Sequence, residues 1–568
     1  MNYPVRPEFA ALAGHHTEVL VIGGGINGIS ITRDLALQGV RVTLVDRFDV
    51  MTGASAASSH MIHGGIRYLE NGEFRLVRES VQERNDLLRT APHVVKPLRT
   101  TVPMFTYFAG TLQAPLRMLN HGKGKRTERG AALIAVGLMI YESFSRINSM
   151  TPRFSFAGKR RISAELPSLH KGVKCAASYY DASVHEPERL ALDLIADAKA
   201  TGNVQLVTYA EAVGVDDGGV LLKDALSGGE IRITADLVVN ASGPRTDLTN
   251  ESLGRATTFM GGTKGSHIVV DHPELHAELA GRELFFENSD GRIVLIYPVK
   301  GRVLIGTTDI FADPRQPVVC TEEEVDYFFD LVKHIMPGIV LERSQIVFRF
   351  SGIRPLPKQD VAQPGFVSRD YRIDESVLPG TEDLPFLSVV GGKWTTFRAL
   401  GEHVSNIILD RFNRERQVST KSLVIGGGKN LPRTAAEREV WISAHSSVIA
   451  PARVEALLDR YGTRAAEVVE YLERAGDDAL VSLPGYSAQE IEHLVKAEQA
   501  VRLDDVLLRR TTLAFAGELT PARVNEIADA VANALNWTPA RRDVEIERAW
   551  QILHTNHGVG QPLNDVVL

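Results

Sequence analysis

Three glycine-rich turns carry the residue types and spacings in this chain that can do chemistry. The first is Gly23-Gly24-Gly25-Ile26-Asn27-Gly28, a Gly-x-Gly-x-x-Gly pattern between an apolar run, Glu18–Ile22, and a helical pattern through Ile29, Ile31, Leu35 and Leu37 that stops at Gly39. In such a unit the first glycine allows a tight turn and the second lets backbone approach a pyrophosphate. The third permits close packing of helix on strand. The helix start then offers free N–H groups and a positive dipole end to phosphate. Arg41–Val45 reads as a second strand and ends at Asp46, a carboxylate placed to accept hydrogen bonds from a ribose hydroxyl. Two later turns, Asn240-Ala241-Ser242-Gly243-Pro244 and Gly391-Gly392-Lys393-Trp394-Thr395-Thr396, also follow apolar strands. They could close the far side of a long dinucleotide, which favours FAD over a nicotinamide cofactor. A helix from about Thr395 would aim its positive end at the flavin edge that gains negative charge on reduction.

The elements that must position these turns follow from periodicity. Residues 51–66 are rich in Gly, Ala and Ser and read as a loop with close backbone approaches. Residues 73–89 read as a helix with Phe74, Val77, Val81 and Leu88 on one face. Residues 100–175 read as irregular and basic. Leu190–Ala200 reads as a helix, Val204–Thr208 and Leu237–Asn240 as strands bracketing a hairpin-like region, and residues 260–350 as alternating strands and turns. Beyond Gly426-Gly427-Gly428 the composition shifts, and 433–560 is helix-rich, with Thr520-Pro521 and Thr538-Pro539 each reading as an N-cap followed by an N1 proline.

Within this framework several motifs stand in an order that resembles the FAD-dependent, quinone-linked (aerobic) glycerol-3-phosphate dehydrogenases. They are Val21–Gly28, Ser58-Ser59, Ile62-His63-Gly64-Gly65-Ile66-Arg67-Tyr68-Leu69-Glu70, Lys264-Gly265-Ser266-His267, Gly306-Thr307-Thr308-Asp309, Ser351-Gly352-Ile353-Arg354-Pro355, Ser368-Arg369-Asp370-Tyr371 and Gly391-Gly392-Lys393. The resemblance is strong over 17–425 and weaker beyond. It implies a mixed α/β and α+β fold. A Rossmann-like FAD-binding domain (about 17–95, 185–258 and 350–425) interleaves with a β-sheet substrate domain (about 96–184 and 259–349). A polar lead (1–16) precedes them and an all-helical C-terminal domain (426–568) follows, in which Asp504–Thr511 resembles the family's own motif.

The resemblance further implies hydride transfer from the carbinol carbon of glycerol 3-phosphate to flavin N5, and electrons passed on to a membrane quinone. A phosphomonoester needs cations and multi-donor side chains. The matching positions are Arg67, Arg354, Arg369 and Lys393, with Tyr68 and Thr307 as neutral donors. His63 is a candidate general base. Arg354 or Lys393 could instead hold the alkoxide electrostatically, or act as the base. His267 reads as structural. FAD contacts are expected from Gly23, Gly24, Gly25, Ile26, Asn27, Gly28, Asp46, Ser58, Ser59, His63, Gly64, Ala212, Gly243, Gly392, Lys393, Thr395 and Thr396. Other functions compete with this one. An oxidase that reduces dioxygen to hydrogen peroxide shares the motifs; a non-catalytic flavin or nucleotide redox sensor and a nicotinamide-linked dehydrogenase are the third and fourth readings.

Composition bounds the partners. The 568 residues carry a net charge of −7, so no global basic field points to nucleic acid. Two cysteines, Cys175 and Cys320, make neither a disulfide framework nor a cysteine-rich metal site, and no metal is expected. No secretory pattern opens the chain, and no run reaches the ~18–20 apolar residues of a membrane span. Between residues 110 and 162, however, ten Lys/Arg face only Glu128 and Glu142, a local +8 that surrounds the eleven-residue apolar run Ala131–Tyr141. That pattern suits an interfacial helix meeting anionic lipid, and a cytoplasmic protein held peripherally on the inner face of the plasma membrane. A homodimer is a further expectation.

Overall fold

The computed structural model describes residues 5–66, 73–107, 131–145, 149–288, 292–358 and 370–560. Two sheets organise it. In the first, six strands run in the order Arg372–Val377, Pro385–Val390, Glu230–Asn240, His16–Ile22, Val42–Val45 and Val204–Val207. All neighbours are parallel except the outermost pair, Arg372–Val377 with Pro385–Val390. The central strands read as continuous apolar runs because both faces are covered. Val19 and Val21 point into a core shared with Ile29, Leu35, Leu190, Phe397 and Leu400, from the helices Ile26–Leu37, Pro187–Lys199 and Phe397–Arg411. Leu20, Ile22 and Val238 point to the opposite face, under Val220, Leu222 and Ile233 of the hairpin region.

The register places Ile22 opposite both Val45 and Asn240, and Asn240 opposite Ser388. The carboxyl ends of four strands therefore share one edge, where ligands bind in open α/β sheets. All three glycine turns leave from that edge.

The second sheet is mixed. Its path runs Ile310–Phe311, Thr263–Val270, Arg302–Gly306, Ile293–Val299, Arg282–Glu287, Val95–Met104, Cys175–Val184 and Met61–Ile62. Ile346–Arg354 adds to Thr263–Val270, with Arg354 opposite Thr263. The helix Glu322–Ile335 packs on one face, its start fixed by a Thr321–Glu324 capping box. The other face shares a core with the C-terminal helices: Tyr297, Leu304, Phe348 and Phe350 lie in one cluster with Leu503, Leu507 and Leu553.

The expectation of irregular chain over 100–175 is corrected. Val95–Met104 and Cys175–Val184 are long paired strands, and Ala131–Ser145 and Lys159–Glu165 are helices. The strand Val95–Met104 carries Lys96, Pro97 and Arg99, which broke the alternation that marks a strand. Both Thr-Pro starts are as read, with Thr520 and Thr538 side chains accepting from Arg523 and Arg541 amides. Gly426 and Gly427 are close approaches: a Cβ would lie 2.3 Å from Asp193 Cγ and 2.1 Å from Tyr461 O, respectively.

Candidate dinucleotide and substrate site

Gly23 takes φ +115°, and a Cβ there would lie 2.7 Å from Ala241 O, so the first and second glycine turns touch through backbone. A Cβ on Gly28 would fall 1.9 Å from Gly23 O, the close helix–strand approach the motif requires. Asp46 closes this turn, its Oδ2 accepting from Gly24 N at 2.6 Å and Oδ1 from Phe48 N at 2.8 Å. Burial raises the Asp46 carboxyl to about 6, against the pull of those two amides. The helix Ile26–Leu37 starts at Gly25 and Phe397–Arg411 at Thr396, and neither N-cap residue caps with its own side chain. Ser55 Oγ accepts from Ile26 N at 3.0 Å.

The loop 51–66 joins the turns. Trp394 Nε1 donates to Ser55 O at 3.0 Å, and Thr395 Oγ1 donates to His63 O at 3.2 Å. Gly392 takes φ +115°, and a Cβ there would lie 2.4 Å from Asn27 Nδ2. Asn27 Oδ1 is buried without a hydrogen bond among the described residues. Room that only glycine leaves, together with this orphaned amide oxygen between two helix starts, fits a polar dinucleotide cofactor. Ser58 Oγ accepts from His60 N at 3.2 Å, and Ser59 Oγ bonds His267 Nε2 at 2.8 Å. Gly243 takes φ +60°, and Thr246 Oγ1 donates to its carbonyl at 2.7 Å. Ala212 lies in the strand Ala210–Asp216, its carbonyl accepting from Ser252 Oγ at 3.2 Å.

Arg354 ends its strand in a cluster of its own. Nη1 donates to Asp309 Oδ1 at 2.9 Å, and Nη2 donates to Thr307 Oγ1 at 2.9 Å and Thr308 O at 3.0 Å. A Cβ on Gly265 would lie 2.2 Å from Arg354 Nη2, so glycine there makes room for the guanidinium. Behind it, Glu324 accepts from Lys264 Nζ, Ser266 Oγ and Thr308 Oγ1 at 2.8, 2.8 and 2.6 Å. Burial would raise the Glu324 carboxyl, but the hydrogen bonds from Lys264, Thr308, Thr321 and Ser266 hold it below the usual range. Residues of the Lys264–His267 and Gly306–Asp309 segments thus lock the arginine's platform. A Cβ on Gly352 would lie 2.4 Å from Ala57 Cβ, which puts the platform directly against the loop 51–66. A Cβ on Gly391 would lie 3.4 Å from Pro357 Cγ, a second link between platform and cofactor turn.

His63, Thr307, Arg354, Lys393, Thr395 and Thr396 thus lie on segments in mutual contact. Arg67, Tyr68 and Arg369 lie outside the described residues. His267 is buried and stacked on Phe350 with centroids 4.7 Å apart. The sequence did not reveal a buried network one residue from His63. Gly64 N donates to Tyr141 Oη and Asp181 Oδ1, both at 3.0 Å, and Arg84 Nη1 donates to the same two atoms at 2.9 Å. Its one signal was that Arg84 falls in helical register with Val77, Val81 and Leu88, on the face read as apolar.

Fold and turns together define a dinucleotide-binding α/β protein whose second sheet brings an arginine platform to the cofactor edge. The family described as FAD dependent oxidoreductase matches residues 18–398, and the C-terminal domain of alpha-glycerophosphate oxidase matches 418–542. A glycerol-3-phosphate dehydrogenase from Synechocystis sp. is 30% identical, with 95% of this chain and 96% of that one covered. The aerobic glycerol-3-phosphate dehydrogenase of Bacillus subtilis is 26% identical, with 94% of each covered. The structure of the glycerol-3-phosphate dehydrogenase from Bacillus halodurans, complexed with FAD, shares the fold at a TM-score of 0.74, with 23% identity and 96% of both chains covered. The chain belongs to the FAD-dependent oxidoreductases, in the family of the FAD-dependent glycerol-3-phosphate dehydrogenases, and its cofactor is FAD.

Proposed function

We propose that the protein oxidises sn-glycerol 3-phosphate to dihydroxyacetone phosphate and passes the electrons to a membrane quinone. The observation that carries the reading is the contact between the Arg354 platform and the loop 51–66, whose Ser55 holds the first amide of the dinucleotide helix. Arg354 and Asp309 side chains are each 19% exposed, so the guanidinium is fixed yet reachable by a small anion. Bound FAD supplies the hydride acceptor. The chain supplies the rest. Arg354, Lys393, Arg67, Arg369, Tyr68 and Thr307 hold the phosphate and the oxygen at the reacting carbon. His63, tied to the cofactor turn by Thr395, takes the hydroxyl proton on its ring. The cofactor contacts are those named above, from the Gly23–Gly28 turn to Thr396.

Delivery to a membrane acceptor is supported by the helix Ala131–Ser145. Leu138 and Tyr141 are buried, while Val136 and Met139 are 49% and 54% exposed. No described helix is long and apolar enough to cross a membrane. An apolar face flanked in sequence by the +8 segment, whose Arg117, Lys123, Lys125, Arg126, Arg129 and Arg146 lie outside the described residues, suits attachment to the anionic inner leaflet. Dioxygen as acceptor is the second reading, favoured by the oxidase named for the family matching 418–542.

Anaerobic titration of the purified protein with glycerol 3-phosphate tests the reading. Bleaching of the flavin's visible band is expected, and an unchanged spectrum sinks it. Reoxidation of the bleached protein by a short-chain quinone, faster than by dioxygen, then decides the acceptor.

A further inference from the structure

Gly24 is wrapped by the short segment that follows the second strand. Asp46 accepts from Gly24 N at 2.6 Å, and Met51 N donates to Gly24 O at 2.9 Å. Residues 46–51 thus engage both backbone polar groups of one residue of the nucleotide turn. In the middle of this segment Asp49 is fully buried. Its carboxylate is held from far away in sequence. Arg509 Nε donates to Oδ2 at 2.6 Å, and Arg510 donates to both oxygens, Nη2 to Oδ1 at 2.9 Å. Burial would raise the Asp49 carboxyl, but the two guanidinium groups outweigh it and hold it below the usual range.

Both arginines lie on Val506–Arg510, a single π-helical turn in the C-terminal helical region. The same turn reaches the segment by a second route. Arg509 also donates to Asp505, whose Oδ1 accepts from Tyr209 Oη at 2.6 Å. Tyr209 N in turn donates to Phe48 O at 2.9 Å, and Ala210 N to Asp46 O at 2.7 Å. One turn of the C-terminal region therefore grips residues 46–51 through Asp49 on one side and through Tyr209 on the other.

We propose that Arg509 and Arg510 are positioning residues of the FAD site, so that the C-terminal helical region sets how tightly the chain holds its cofactor. They act through Asp49, which fixes the segment that orients Asp46 and Gly24. This rests on the assignment of the Gly23–Gly28 turn and Asp46 to FAD. It gives the Asp504–Thr511 motif a role that packing alone does not require.

The test uses the full-chain holoprotein and follows FAD release by the rise in flavin fluorescence on dilution, with far-ultraviolet circular dichroism recorded in parallel. Arg510→Lys keeps the charge but loses the two-pronged bond. Tyr209→Phe removes only the hydroxyl that reaches Asp505. Release is expected to quicken about tenfold in Arg510→Lys and about threefold in Tyr209→Phe, the scale of the net contribution of a single hydrogen bond. The dichroism should stay native, and excess FAD should restore kcat. Asp46→Asn is the reference. If it speeds release while Arg510→Lys and Tyr209→Phe leave the rate unchanged, the proposal is overturned and the cofactor assignment stands. If all three release FAD at the wild-type rate, the assignment of this turn falls first. Release that occurs only together with loss of dichroism reduces the arginines to structural residues and also overturns the proposal. Should Arg510→Lys fail to fold, Tyr209→Phe decides alone.

Discussion

Asn27 and Gly392 meet where two helix starts converge, with 2.4 Å between the Asn27 amide nitrogen and the place a Gly392 Cβ would occupy. The two residues are far apart in sequence and belong to different glycine turns, so their contact fixes the spacing of the two positive helix ends. Gly392→Ala meets both this clash and a φ of +115°. Strain of this kind costs about 1–3 kcal/mol. The expected outcome is purified protein with much less bound FAD and a lower thermal midpoint. Flavin absorbance per protein and calorimetry would read the two effects.

Arg354→Lys keeps the charge and loses the fork. Asp309 and Thr307 would no longer be bridged by one planar group. If the guanidinium holds the substrate anion, kcat/KM for glycerol 3-phosphate should fall roughly 100-fold, about 2.7 kcal/mol of transition-state stabilisation. FAD content should stay at the wild-type level. A kcat/KM within twofold of wild type would remove Arg354 from the substrate site.

What the sequence made legible was local. The Gly23–Gly28 turn, the strand that Asp46 follows and the strand–glycine–helix unit at Leu387–Thr396 are encoded by spacing within a few residues, and each folds as read. The motifs containing Thr307, Asp309 and Arg354 could be marked, but their joining could not. It depends on the register that sets Arg354 opposite Thr263, a property of the sheet. Arg84 looked like one more charge on an amphipathic helix and is in fact fully buried, because Asp181 and Tyr141 reach it from a strand and a helix around a hundred residues on or fewer. Asp49 is hidden for the same reason, with a partner 461 residues away.

Glu283 lies fully buried in the second sheet, where Thr100 Oγ1 donates to its Oε2 at 2.7 Å. Burial raises its carboxyl to about 8, the negative Asp181 adds to this, and the Thr100 hydrogen bond opposes it. The folded-state value lies above the unfolded one, so the protonated form stabilises the fold. That contribution is complete below about pH 4.5 and is lost as pH rises toward about 8, at about 1.4 kcal/mol per pH unit. Glu283→Gln cannot ionise. The variant should gain stability relative to wild type steadily between pH 5 and pH 8, a difference that denaturant titrations at several pH values would read. A constant difference across that window would mean that Glu283 does not ionise on unfolding as its burial requires.

Val136 and Met139 face outward from the helix Ala131–Ser145, whereas Leu138 and Tyr141 of the same helix pack against Val77, Val81 and Tyr179. The helix thus has an inner face that needs no membrane and an outer face with no equivalent cover among the described residues. Replacing Val136 and Met139 together by Gln should leave the thermal midpoint within a few degrees, since exposed positions contribute little to folding. Binding to vesicles containing anionic lipid should weaken, because buried apolar area drives interfacial docking. Neutralising Lys123, Lys125, Arg126 and Arg129 should weaken it separately and in a salt-dependent way, at about 1 kcal/mol per charge. The two sets act through different forces, so their combination should lower binding further than either alone. Vesicle cosedimentation unchanged by both sets would place the acceptor side of the protein elsewhere, and anaerobic bleaching by glycerol 3-phosphate would be untouched by that result.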